Sequence, residues 1–125
     1  MIDIKIAIRT TLLLVDEDID QLELRALVLK MSGFTVLAAN GPVEAISLMT
    51  QGRGDTVDIA VLEYHMPVTN GCVLAEYLRS RYPDLKIILH SAALDIPASE
   101  MSSVDVFVPK SESIAPLLAQ VSEFA

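Results

Sequence analysis

The sequence predicts an α/β fold, a doubly wound parallel sheet of five strands with helices on both faces. Three observations predict it. Short unbroken apolar runs such as Ile59-Ala60-Val61-Leu62 recur along the chain, the pattern of parallel strands covered on both sides. Between these runs, apolar residues recur at helical spacing, as at Leu22, Ala26 and Leu29. Acidic residues follow two of the runs directly, at Asp16-Glu17 and at Glu63, and the carboxyl ends of parallel strands are where open α/β sheets place their sites. Strands alternating with helices imply right-handed crossovers and hence a parallel sheet.

Taken in order, residues 2–9 alternate Ile2, Ile4, Ile6 and Ile8 with Asp3, Lys5, Ala7 and Arg9, a half-buried strand pattern. Residues 1–10 are therefore an extra strand or arm, or the start of one long first strand, and residues 11–124 are the core of a single domain covering 1–125. Thr11 to Val15 is the first central strand. Asp18 or Asp20 caps the helix after it, and Gly33 stops that helix in a left-handed turn. Phe34 to Ala38 is the second strand. Asn40-Gly41-Pro42 opens the next helix, with Val43, Ala45, Ile46 and Met49 as its expected core stripe, and Gly52 to Asp55 make a polar loop.

Ile59 to Leu62 is the third strand, and Met66-Pro67 forces an extended turn after it, because proline lacks an amide donor and disfavours helix at the preceding residue. Asn70-Gly71 opens a helix marked by Val73, Leu74, Tyr77 and Leu78, which stops before Tyr82-Pro83-Asp84. Lys86 to His90 is the fourth strand. The segment from Leu94 to Ser103 contains Pro97, so any helix there is short. Val104 to Val108 is the fifth strand, and Ser111 or Ser113 caps a last helix with Ile114, Leu117, Leu118 and Val121 on one face. The expected architecture is flavodoxin-like, with strand order 2-1-3-4-5.

Composition narrows the function. A hydrophobic fraction of 52% with 21% charged residues belongs to a folded domain. The net charge of −8 argues against an unaided nucleic-acid role, since neutralising phosphates needs a basic face. No apolar run approaches the ~20 residues of a membrane span. The one cysteine, Cys72, permits no internal disulfide and agrees with a reducing compartment, which makes the cytoplasm the expected location.

In the expected topology the ends of strands one, three, four and five converge, gathering Asp16, Glu17, Glu63, Ser91 and Lys110. Three carboxylates in one place stay ionised only with a cation among them. Lys110 is one such cation, and a divalent ion held by oxygens is another. His65 and His90 lack a ligand or base pairing pattern and read as rim or packing residues. Tyr64, Tyr77 and Tyr82 read as amphipathic packing residues.

The motifs LLLVDED, DIAVLEYHMPVTNG, HSA and VFVPK stand in order over residues 11–124, and this set resembles the response-regulator receiver domain of two-component signalling, a CheY-like family that takes phosphate from a histidine kinase onto an aspartate. The resemblance implies that Glu63 stands at the phosphoacceptor position. It further implies a weakly bound Mg²⁺ at Asp16, Glu17, Glu63 and His65, and switch and phosphate-sensing roles for Ser91, Phe107 and Lys110. Output in the resembling family passes through the surface of the fourth helix, fifth strand and fifth helix. The implied partner is a signalling protein, a histidine kinase or a downstream effector, with a homodimer also compatible.

Three departures shape the expectation. Glu63 replaces the family's aspartate, the usual Lys-Pro pair is Lys110-Ser111, and Phe107 replaces a frequent tyrosine. The chain is also shorter between Ser91 and Lys110, at the expense of the helix expected there. Glutamate reaches about 1.5 Å further than aspartate, and an ångström of misplacement can cost phosphoryl transfer about a hundredfold. The expectation is a stand-alone receiver-like module, not an enzyme, that is not phosphorylated in the ordinary way and acts by binding protein. With the chain ending at Ala125, no DNA-binding output is expected in it. A phosphorylatable regulator is the alternative. A flavodoxin-like nucleotide binder or enzyme fits less well, since the first turn is acidic and lacks phosphate-cradling glycines.

Overall fold

The computed structural model describes residues 10–125. The alternating stretch at 2–9, and with it the expected extra strand or arm, lies outside the described residues. Five strands, β1 (Thr11–Val15), β2 (Thr35–Ala39), β3 (Ile59–Leu62), β4 (Lys86–Ser91) and β5 (Val106–Pro109), form one sheet. Its order is β2-β1-β3-β4-β5 and every pairing is parallel, as the sequence predicts. Four α-helices cover it, α1 (Ile19–Met31), α2 (Pro42–Leu48), α3 (Gly71–Arg81) and α4 (Ala115–Phe124).

Strand side chains alternate between two cores, because successive residues of a strand point to opposite faces. Leu13, Val15, Ala60 and Leu62 pack with α2 and α3 through Ala45, Met49, Leu74 and Leu78. Leu12, Leu14, Ile59 and Val61 pack with α1 and α4 through Leu22, Ala26, Leu29, Leu117 and Val121. All four side chains of β3 are buried, which is why that run carries no polar residue.

The helix ends follow from their caps. Asp18 accepts from the Gln21 amide at 3.2 Å, starting α1, while Asp20 lies in the first turn. Gly33 takes a φ of 102°, the left-handed stop. Asn70 Oδ1 accepts from Cys72 N at 2.9 Å and from Val73 N at 3.1 Å, starting α3. Before α4 the Ser113 hydroxyl accepts from the Ala115 amide at 3.0 Å, while Ser111 donates to the Ser113 carbonyl.

The structure corrects several expectations of packing and strand bounds. Val43 is not part of the α2 core stripe and is 81% exposed; α2 buries Ala45, the helical turn that continues it buries Met49, and Ile46 is buried only in part, which turns Val43 outward. β2 begins and ends one residue later than expected. β5 begins at Val106 because the Val104 amide closes a turn onto Met101 O and the Asp105 amide bonds Ile87 O. The Asp105 carboxylate also accepts from the Ile87 amide at 2.7 Å and from Arg79 Nη2 at 2.6 Å, pinning α3 to the start of β4. Between β4 and β5 the only helical element is a 3₁₀ turn at Ala98–Met101, short as the sequence predicts.

Candidate functional site

The site is built where β1, β3, β4 and β5 end. Val15 and Leu62 are paired across β1 and β3, and the residues one step further, Asp16 and Glu63, leave the sheet together. Asp16 is buried, and its amide bonds Ala39 O at 3.2 Å, while the Glu63 amide bonds Val15 O at 3.0 Å. Strand alternation carries both carboxylates onto the face that holds α1. Ser91 ends β4 opposite Pro109, and its carbonyl accepts the Lys110 amide at 2.9 Å, so the end of β4 fixes where Lys110 starts.

Lys110 Nζ lies 2.8 Å from Asp16 Oδ2 and 2.7 Å from Glu63 Oε1. Arg25, from the middle of α1, places Nη1 3.4 Å from the same Asp16 oxygen. The other Glu63 oxygen accepts the amide of Tyr64. Burial alone would raise the Glu63 carboxyl, but the Lys110 hydrogen bond and charge, the Ser91 hydroxyl and the Tyr64 amide outweigh it and hold it below the ordinary carboxylate value of 4.5. Glu63 is therefore an anion at neutral pH.

The loop after β3 folds back tightly on this strand end. The Gly71 amide donates to Tyr64 O at 2.8 Å. A Cβ on Gly71 would stand 2.2 Å from Glu63 O, so only glycine permits the approach. Val68, at the tip of the loop, is held at a φ of 72°, an uncommon conformation for a β-branched residue. Tyr64 reaches out of the site, its hydroxyl donating to Glu100 Oε1 at 2.9 Å.

Of the residues picked from sequence, the structure brings together Asp16, Glu63 and Lys110, with Ser91 buried beside them. Phe107 is half-buried on the α2 and α3 face. Glu17 is exposed, one step past Asp16, and His65 is exposed with its ring edge-on to Tyr64 at 5.1 Å. The expected oxygen set of Asp16, Glu17, Glu63 and His65 is thus not assembled, and among the described residues no three His, Cys, Asp or Glu side chains converge as a metal-binding group. The two carboxylates that do converge share an ammonium. This donor set, as arranged, does not fit a divalent ion.

Sequence reasoning missed Arg25 and the Tyr64–Glu100 pair. Arg25 stands three residues after Leu22 and four before Leu29, at the border of the buried stripe of α1; a basic residue at that border was the available signal. Tyr64 and Glu100 are 36 residues apart, and no local pattern announces their contact.

Residues 12–122 match the model of the response regulator receiver domain. The chain belongs to that family. It is a receiver domain of two-component signalling. It is 36% identical to the sensor kinase CckA of Brucella abortus over 121 residues, 91% of this chain and 12% of that protein. It is 30% identical to the transcriptional regulatory protein CpxR of Klebsiella pneumoniae over 112 residues, 88% of this chain and 47% of that protein. The chain thus spans half or less of these relatives. Among solved structures it is similar to the response regulator TrrA of Thermotoga maritima in complex with Mg²⁺-BeF, with a TM-score of 0.85 and 26% identity, covering 93% of this chain and 99% of that one. TrrA bound to the histidine kinase ThkA aligns with a TM-score of 0.82 and 26% identity, covering 92% and 97% of the two chains. No helix among the described residues is long and apolar enough to cross a membrane.

Proposed function

We propose that this receiver is degenerate at its phosphoacceptor position and signals by binding a protein partner, with the charge of Glu63 standing where a phosphoryl group would otherwise act. The observation that carries the reading is the 2.7 Å contact between Lys110 Nζ and Glu63 Oε1. In-line transfer needs a nucleophile free to meet its donor. Here one Glu63 oxygen is held by Lys110 and the other by the Tyr64 amide, and the extra methylene displaces both from an aspartate's position. No catalytic role is assigned to any residue. The partner in this reading is a signalling protein, a histidine kinase or a downstream effector, met in the cytoplasm. Because the two carboxylates as arranged hold Lys110, Mg²⁺ binds only where it displaces that ammonium, and therefore weakly.

A phosphorylatable regulator is the second reading, favoured by the similarity to TrrA in complex with Mg²⁺-BeF. Incubation with a small-molecule phosphodonor and Mg²⁺, followed by intact-mass measurement, separates the two. The expected result is no acyl-phosphate adduct on the natural sequence, with labelling recovered in Glu63→Asp. Stoichiometric labelling of Glu63 itself overturns the degenerate reading.

A further inference from the structure

We propose that Arg25 and Lys110 together neutralise the Asp16 and Glu63 carboxylates from within the chain, so that the pocket is charge-balanced without a divalent ion and Arg25 sets how weakly Mg²⁺ competes. The four side chains are all largely shielded, at 8% exposure for Asp16, 11% for Glu63, 13% for Arg25 and 16% for Lys110. Shielded charges persist only when paired and hydrogen-bonded. Two carboxylates face one ammonium and one guanidinium, and the sum is zero. Lys110 bridges both acids, while Arg25 takes the Asp16 oxygen that Lys110 also uses.

His90 adds no third cation at neutral pH. It is buried, and burial first, then the Arg25 and Lys110 charges, keep its imidazole neutral down to about pH 4. Glu17, the remaining acid, faces solvent. A Mg²⁺ ion entering this pocket would bring two positive charges to a neutral set. It would also have to displace Lys110 from oxygens at 2.7 and 2.8 Å. Arg25 comes from a helix and its charge cannot be removed by titration, so its opposition to a second cation is permanent.

The charge balance requires Glu63 ionised and unmodified, and in that respect it rests on the degenerate reading. The test uses Mg²⁺ alone, so its failure leaves partner binding standing, while an acyl phosphate on Glu63 would sink the degenerate reading without touching the charge count of the unlabelled protein. MgCl₂ is titrated at constant ionic strength into the natural protein, Arg25→Gln and Arg25→Lys, with the amide shifts of residues 15–17 and 63–65 as readout. Arg25→Gln is expected to bind Mg²⁺ about tenfold more tightly or better, and Arg25→Lys to behave like the natural protein. Equal Mg²⁺ affinity in the natural protein and Arg25→Gln overturns the proposal. Should Arg25→Gln fail to fold, the thermal midpoint of the natural protein decides. At about 1 mM MgCl₂ it is expected to match that in NaCl of equal ionic strength, since a weakly competing ion stabilises little at that concentration, and a specific rise at about 1 mM MgCl₂ overturns the proposal.

Discussion

The Tyr64 hydroxyl donates to Glu100 Oε1 at 2.9 Å, tying the residue next to Glu63 to the 3₁₀ turn at Ala98–Met101. That turn has no side-chain cap and buries no residue fully, so few other contacts hold it, and segments of this kind open locally at low cost. Tyr64→Phe is expected to speed amide exchange at residues 100–104 several-fold while leaving the thermal midpoint nearly unchanged. The Glu100 carboxylate, hydrogen-bonded to the phenol, also raises the Tyr64 titration above 10.0. Glu100→Gln should bring it back down, as followed by tyrosine absorbance. Exchange rates unmoved in Tyr64→Phe would show that the bond does not hold the turn.

Gly71→Ala tests the close return of the loop onto β3. The added Cβ would meet Glu63 O at 2.2 Å and the Leu89 side chain at 2.9 Å. Backbone cannot yield as a flexible side chain does, and overpacking of this kind costs about 1–3 kcal/mol. The urea midpoint should fall accordingly, and the amide resonances of Glu63 and Tyr64 should shift with it.

His90 gives the domain an acid-labile window with a definite sign. Its folded imidazole protonates only near pH 4, whereas in the unfolded chain it protonates near 6.5. Between these values the unfolded state binds more protons, so stability falls as pH falls. The gap, at about 1.4 kcal/mol per pH unit, corresponds to about 3–4 kcal/mol at most. Glu63, held below 4.5, adds a loss of the same sign only as pH falls below that value. Urea denaturation from pH 7 to 4 should show the slope, and His90→Gln should flatten it between 6.5 and 4. A variant as acid-labile as the natural protein would place the effect elsewhere.

The parts of this molecule legible in sequence are those where one local pattern has one physical cause. Apolar runs such as Leu12 to Val15, short and ended at once by acids, read as buried strands, and the acids after Val15 and Leu62 mark the edge at which those strands end. What was not legible depended on direction or distance. The outward turn of Val43 depends on where Pro42 starts α2, and the later start of β5 depends on Asp105 meeting Ile87 and Arg79. For the site, sequence pointed to Asp16, Glu63, Ser91 and Lys110, while Arg25 was hidden because its partner lies a helical turn and a strand end away. Glu17 looked like a ligand beside Asp16, but one residue's step at a strand end reverses the side chain's direction.

The last prediction concerns output. Lys110 directly follows β5 and grips Glu63 at the end of β3, while Phe107 lies half-buried within β5, two residues before Pro109. If the charge of Glu63 draws Lys110 toward β3, it biases β5 and Phe107 toward one of two arrangements without a phosphoryl group. A charge shifts such an equilibrium only by its differential interaction with the two states. Lys110 keeps Asp16 as a partner in either arrangement, so its Glu63 contact distinguishes the two by only about 1 kcal/mol, a several-fold bias and not a locked switch. Partner binding should then be constitutive but incomplete. Glu63→Gln keeps the shape and removes the charge, and calorimetric titration against the cognate kinase or effector should read an affinity about fivefold weaker. Unchanged affinity in Glu63→Gln, in a protein of natural stability, would mean that the Glu63 charge carries no signal and that its pairing with Lys110 only neutralises the pocket.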